Sequence, residues 1–259
     1  MARPTRTTTY ATNGTTTMSE HDAEPSGDQP TDTAVDPPAE SPADAADEMR
    51  SGFVALAGRP NVGKSSLTNA IVGQKVTIVS PRPQTTRHEI RGMLTTATSQ
   101  LILVDTPGVH KPKTAMGKRL NRTAKEARED TDATVLVVDA SKGVGGPGDA
   151  RLMAAMPDDV IVAINKIDRL PQEQVLAAIK DASSLARRFE KGSVEFFPIS
   201  ARTSQGVPEL TEHLIGRLPP GPLWYPGDQV RDTGEGFWVA ELVREQLLAT
   251  AREALPHSL

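Results

Sequence analysis

The sequence contains no cysteine. A disulfide framework and thiolate-bound metal are thereby excluded, in keeping with a reducing compartment. No apolar run comes near the ~20 residues a helix needs to cross a bilayer. Arg3 and Arg6 have no apolar segment behind them, so the N-terminus does not read as a secretory signal. Lysine and arginine are missing from Glu20 to Glu48, a stretch with ten acidic side chains. Residues 1–49 therefore balance at −8 and residues 50–259 at +4, within a net charge of −4. This permits an RNA or anionic-surface partner without requiring one. Large apolar side chains are also scarce before residue 50. That Thr-, Pro-, Asp- and Ala-rich segment cannot bury enough surface to offset the entropy of ordering, so 1–50 reads as a disordered tail. Met18 within it is a second candidate start.

From Phe53 the texture changes. "FVALAG", "QLILVDT", "ATVLVVDA", "VIVAINK" and "VEFFPIS" are β-rich runs, several of them ending in Asp, Asn or Ser. Helix-like stretches lie between them: Ser65 to Ile71, Lys118 to Asp130, Pro171 to Phe189 and Val207 to Leu218. This alternation predicts an α/β fold with a largely parallel sheet covered on both faces. Polar residues at strand C-termini are where such sheets bind ligands. The expected nucleotide-binding domain spans 51–218. "PPGPLWYPGD" over 219–228 has the Pro and Gly density of a linker. In 229–259, Glu235 to Glu253 reads as one amphipathic helix. Such a helix cannot make its own core, so it must dock on the first domain or open a second.

Five short motifs carry chemistry. "GRPNVGKS", Gly58 to Ser65, meets the phosphate-loop pattern between a strand and a helix. Its glycines let backbone N–H groups wrap an anionic phosphate chain, and the helix adds its positive dipole end. Lys64 is placed to reach the β- and γ-phosphates and the Ser65 hydroxyl to ligate Mg²⁺. "NKID", Asn165 to Asp168, ends a strand. A carboxylate there accepts both the N1–H and the exocyclic amine of guanine, whereas ATP would leave Asp168 with a buried unmade bond. Asn165 would brace the base loop and the Lys166 stem would cover the ring. "PISA", Pro198 to Ala201, lets the Ala201 N–H approach the purine O6. "DTPG", Asp105 to Gly108, would hold Mg²⁺ through a water at Asp105 and meet the γ-phosphate with the Gly108 N–H. "PQTTRHE", Pro83 to Glu89, offers Thr86, or else Thr85, to the metal while the γ-phosphate is present.

These pieces, in this order, resemble the translation-factor-related GTPases. The stretch "GRPNVGKSSLTNAIVGQKVTIVSPRPQTTRHEIRG" and the runs "DTPGVHKPKTAMGKRLN", "INKID", "PISA" and "VRDTGEGFWVAELVREQLLATAREALPHS" look like the Era family of ribosome-assembly GTPases. The resemblance covers roughly Phe53 to the end. It implies a P-loop GTPase domain with a mostly parallel six-stranded sheet, followed by an α+β KH-type domain. It implies binding and hydrolysis of GTP, with GTP and GDP as alternating ligands, and contact with 16S rRNA and the small ribosomal subunit. A monomer is expected in the cytoplasm, with part of the population peripheral on the inner face of the membrane. The implied GTP-binding set comprises Gly58, Arg59, Pro60, Asn61, Val62, Gly63, Lys64, Ser65 and Ser66. To these it adds Gln84, Thr85, Thr86, Arg87 and His88, then Asp105, Thr106, Pro107 and Gly108. Asn165, Lys166, Ile167, Asp168, Ile199, Ser200 and Ala201 complete it. Lys64, Thr86 and Asn61 are the expected catalytic residues, and Ser65, Thr86 and Asp105 the expected Mg²⁺ ligands.

Two departures stand out. No G-x-x-G clamp for a nucleic-acid backbone occurs after Pro219, so the KH-type domain reads as truncated. The acidic tail has no counterpart in the family pattern. Another absence concerns the chemistry. In many switch GTPases a glutamine comes after the "DTPG" glycine and orients the attacking water; here that residue is Val109. Asn61 lies where several relatives coordinate K⁺ beside the β- and γ-phosphates. A cation there would neutralise charge on the leaving oxygen, and backbone near Thr85–Arg87 would position the water. The alternative is that Asn61 only braces the loop. His88 and His110 read as loop histidines, and the basic run from Lys111 to Lys125 as an RNA contact or a solvated face. Two competing functions stay open: a GTP-dependent RNA-binding scaffold with negligible hydrolysis, and a related GTPase of tRNA modification or large-subunit assembly.

Overall fold

Alternation along the strands explains how the sheet is covered. In the computed structural model, residues 49–80, 90–105 and 131–250 are described. Strand β1 (Arg50–Gly58) buries Val54 and Leu56 on one face and Ala57 on the other. Strand β4 (Ala133–Asp139) sends Val135 and Val137 one way and Leu136 and Val138 the other. Side chains in a strand alternate between faces, so runs that are apolar at every position need helices on both sides. On the first face pack α1 (Lys64–Val72) through Leu67 and Ile71, and α4 (Val207–Gly216) through Leu210 and Leu214. On the second pack α2 (Pro147–Ala154) through Leu152 and Met153, and α3 (Gln172–Arg188) through Ala178, Ala182 and Leu185. Leu56, Leu67 and Ile164 are fully buried, each contributing about 1.5–3 kcal/mol by leaving water.

Six strands form one sheet in the order β2-β3-β1-β4-β5-β6, where β2 is Ile90–Thr95, β3 Ser99–Asp105, β5 Ile161–Asn165 and β6 Glu195–Pro198. All neighbouring pairs are parallel except β2 with β3. The five apolar runs in the sequence are the five parallel strands. The edge strand β2 has a short, half-exposed "IRGMLT" pattern that periodicity alone does not distinguish from a loop. Helix α2 likewise leaves little apolar periodicity to read. Helix α1 begins at Lys64, and Pro171 caps α3 from outside, as proline's missing N–H allows. The stretch Lys118 to Asp130 lies outside the described residues, as do 1–48 and 251–259.

The Pro- and Gly-rich segment after α4 is strapped to the sheet. Ser51 N–H donates to the Pro219 carbonyl (3.0 Å) and the Ser51 hydroxyl to that of Pro222 (2.6 Å). Buried Gln100 accepts from the Trp224 and Tyr225 amides (2.7 and 3.0 Å) and donates to the Tyr225 carbonyl (2.9 Å). The chain then runs beside the edge strand, where Met93 N–H donates to the Val230 carbonyl (2.9 Å) and Gly92 pairs with Arg231.

Helix α5 (Glu235–Thr250) comes next and meets the segment after α1 through charge. Glu245 is buried, paired with Lys75, and accepts the Val79 N–H (2.9 Å). Glu241 is buried against Arg244, whose guanidinium donates to it at 2.8 and 2.5 Å. Val239, Val243 and Leu247, four residues apart on one side, are exposed. Amphipathicity alone would have turned that stripe inward; the described contacts turn two glutamates inward instead.

Candidate functional site

The ends of three parallel strands set the site, with β3 beside β1 and β4 lying between β1 and β5. β1 runs into the phosphate loop, β3 ends at Asp105 and β5 at Asn165. Gly58 and Gly63 belong to the loop for steric reasons. A Cβ on Gly58 would lie 2.6 Å from the Val137 carbonyl oxygen. Gly63 has φ 102°, a left-handed conformation, and a Cβ there would overlap Asn165 Nδ2. Asn61 is also left-handed, at φ 64°, a conformation asparagine adopts more readily than most residues. Ser65 and Ser66 lie in the first turn of α1, whose positive dipole end faces the loop.

Lys64 is buried and folds back on the loop, donating to the carbonyls of Gly58 (3.3 Å) and Arg59 (3.2 Å). Burial pushes its ammonium below the usual lysine range, against the opposing pull of the Asp105 charge. The Ser65 hydroxyl donates to Asp105 Oδ2 at 2.7 Å, and Asp105 is fully buried. A hydroxyl that donates its proton to a carboxylate can also accept through its oxygen. A hydroxyl and a carboxylate side by side form the hard oxygen set that Mg²⁺ prefers, so these residues fit that ion.

Asn165 ties three loops together. Its Nδ2 donates to the Val62 carbonyl (2.8 Å), while its Oδ1 accepts from the Lys166 and Ala201 amides (2.8 and 3.0 Å). The Ala201 amide is thus already bonded, and it would offer a purine O6 a shared donor rather than a dedicated one. Asp168 Oδ1 accepts the Ser200 hydroxyl at 2.8 Å, which aims the carboxylate. Ile199 is buried and its carbonyl accepts the Ile167 amide (3.3 Å), holding the loops after β5 and β6 in register. Lys166 is left-handed at φ 70° and donates to the Asn61 carbonyl and to Asp139 Oδ2, both at 2.6 Å.

Two residues of this neighbourhood have no counterpart in the motif reading. Asp139 ends β4 one strand away from Asn165, and its only sequence signal is the polar terminus of "ATVLVVDA". Asp149, at the start of α2, is buried and lies 3.6 Å from the Arg59 guanidinium. Desolvation raises the Asp149 carboxyl above its usual range, against the lowering effect of Arg59 and of the Gly145 and Gly146 amides. Arg59 accordingly lies across α2's first turn, where a Cβ on Gly148 would meet its Cδ at 2.6 Å. Among the predicted site residues, Gln84, Thr85, Thr86, Arg87, His88, Thr106, Pro107 and Gly108 lie outside the described residues.

Residues 53–166 match the family model described as "50S ribosome-binding GTPase". A GTPase Era of Mycobacterium sp. (strain KMS) is 45% identical over 217 residues, covering 82% of this chain and 71% of that protein. The chain belongs to the Era family of GTPases. GTPase Era of Mycolicibacterium smegmatis is 44% identical over the same length, 82% of this chain and 71% of that protein. A solved Era bound to MgGDPNP and nucleotides 1506-1542 of 16S ribosomal RNA superposes with TM-score 0.72 at 34% identity, covering 80% of this chain and 70% of that one. A point variant of Aquifex aeolicus Era bound to GDP.AlF4- gives TM-score 0.70 at 33% identity, with the same coverage. Membership of the Era family accounts for the phosphate-loop motif, the sheet order and the loops after β5 and β6 together. Among the described residues of this Era-family chain, no helix is long and apolar enough to cross a membrane.

Proposed function

We propose that this chain is a GTP-hydrolysing switch of small-subunit ribosome assembly. The observation that carries the reading is the Asn165 side chain, which joins the loop of Gly58–Ser65 to the loop of Asp168. A triphosphate held by the first would present its base to the second. Asp168, aimed by Ser200, accepts the two guanine donors and excludes adenine. Ser65, and Asp105 through a water, would hold Mg²⁺, with Thr86 as a further ligand. When bound, the ion neutralises charge on the β- and γ-phosphates. Lys64 exchanges its contacts with the loop carbonyls for phosphate oxygens, and its burial strengthens that attraction.

Val109 offers no polar group to orient water, and backbone near Thr85–Arg87 would take over that task. Asn61 and a K⁺ ion would supply charge stabilisation on the leaving oxygen. The left-handed backbone of Asn61, tied to Lys166, supports a fixed position for it. Contact with RNA is inferred from the 16S ribosomal RNA in the solved Era complex. The "50S" in the family model's description covers only residues 53–166, which include none of the C-terminal elements. Helix α5 would be the first helix of a KH-type domain, and its exposed Val239, Val243 and Leu247 suit a helix that shares a core with further chain. A cytoplasmic location with a fraction at the inner membrane face belongs to the same proposal and rests on the family resemblance alone.

Titration with labelled GTP and ATP in Mg²⁺ tests the site. GTP alone should bind, and equal binding of both nucleotides would refute the assignment of Asp168. Single-turnover hydrolysis in K⁺ and in Na⁺ tests the ion, with faster turnover in K⁺ expected. Equal rates, or an Asn61→Ala variant that keeps the K⁺ response, would remove K⁺ and leave the GTPase.

A further inference from the structure

We infer that Asp139 is a positioning residue for guanine-nucleotide retention: it locks the Lys166 ammonium between the base loop and the phosphate loop. The inference deepens the GTP-binding reading and rests on it. The Lys166 ammonium donates to two acceptors, the Asn61 carbonyl and Asp139 Oδ2, both at 2.6 Å. The carbonyl is neutral, and a lysine on a flexible stem needs a fixed counter-charge to stay in place beside it. Asp139 is built to supply that charge. It is buried, and its Oδ1 accepts both the Ser141 amide (3.1 Å) and the Ser141 hydroxyl (2.6 Å), leaving Oδ2 for lysine. It pairs in register with Asn165 across β4 and β5, so the carboxylate and the base loop share one rigid base. Burial alone would raise its carboxyl; the Lys166 and Ser141 hydrogen bonds outweigh that and hold it below the usual range, so it stays charged.

Other charges near Asp139 are Lys142, on the turn it caps, and Asp149 of α2. Both act on it through space, so the direct lysine contact carries the arrangement. Left-handed Lys166 cannot track the purine by a small backbone adjustment, since that conformation is narrow for a residue with a Cβ. Its head must be anchored if its stem is to lie over the ring. Without Asp139 the ammonium would turn to water, the tie to Asn61 would loosen, and the base and phosphate loops would part more readily.

The test is a cycle of Asp139→Asn, Lys166→Met and the double variant, read as the dissociation rate of fluorescent GDP in Mg²⁺. Each single change should speed release by about tenfold, the size expected of a lost charge-assisted contact. In the Lys166→Met background, Asp139→Asn should add less than about twofold. Should Asp139→Asn fail to fold, Ser141→Ala loosens the same carboxylate more gently. It should speed release by about threefold, and only when Lys166 is present. An Asp139 effect of equal size with and without Lys166 would show a merely structural role and overturn the inference. Unchanged release in Asp139→Asn would do the same. Either result with a wild-type chain that retains GDP refutes the role of Asp139 alone. A wild-type chain that retains no guanine nucleotide refutes the GTP-binding reading and this inference with it.

Discussion

Replacing Asn165 by alanine tests whether one side chain holds the site together. Three hydrogen bonds disappear: to the Val62 carbonyl and from the Lys166 and Ala201 amides. Asn165 is buried at 2% exposure, so water does not readily replace it. At about 1 kcal/mol for each bond, the loss is about 3 kcal/mol, and more if the three groups stay dry. For a domain of this size that lowers Tm by about 6–12 °C. Gly63→Ala attacks the same knot from the other side. Its left-handed backbone would cost an alanine about 1–2 kcal/mol, and the new methyl would displace Asn165 Nδ2. Thermal and urea unfolding of both singles and the double, without nucleotide, measures the coupling. The double variant should fall within about 1 kcal/mol of the worse single, because both break one network. Fluorescent GDP affinity should fall in all three. Full additivity, or a loss below about 1 kcal/mol in Asn165→Ala, would refute the idea that this side chain joins the loops.

Ser65→Ala should blunt the effect of Mg²⁺ on GDP release by about tenfold while leaving binding in EDTA little changed, which stopped-flow measurement with and without the ion would check. Asp139 has a lowered carboxyl, so its charge stabilises the fold above its ordinary pKa of 3.8, and that contribution is lost as pH falls below 3.8 through the folded value. The stability gap between wild type and Asp139→Asn should therefore be constant near neutrality and shrink as pH falls below that window, as urea unfolding at a series of pH values would show. Glu245→Ala removes the acceptor of the Val79 amide and the partner of Lys75, so α5 should lose hydrogen-exchange protection with a cost of about 1–2 kcal/mol. Equal protection in that variant would mean that α5 is held by other contacts.

Much of the site can be read locally because its chemistry is local. A phosphate loop closes over a few consecutive residues, so "GRPNVGKS" carries its own geometry. "NKID" and "PISA" occur at strand ends, where the apolar run before them already marks the strand and its direction into the loop. The five parallel strands are legible for a related reason: burial on both faces demands apolar side chains at every position. Edge strand β2 and helix α2 are not, since each is short and half-exposed and takes its conformation from its neighbours.

What the sequence determined by itself was an α/β domain with a phosphate-loop motif and its strand-end motifs, because those signals are encoded by adjacent residues. What only the tertiary structure decided was which distant residues meet. Asp139 reaches Lys166 because β4 and β5 lie in register. Asn165 reaches Val62 because β1 and β5 lie on either side of β4, with Gly58 level with Ala163 so that the loop after β1 runs beside the end of β5. Helix α5 buries Glu241 and Glu245 while exposing Val243, the reverse of its amphipathic pattern. A hydrophobic pattern specifies that a face needs cover, but not from where. Lys75 and the Val79 amide, some 170 residues earlier in the chain, supply partners that make the buried Glu245 carboxylate tolerable at that contact.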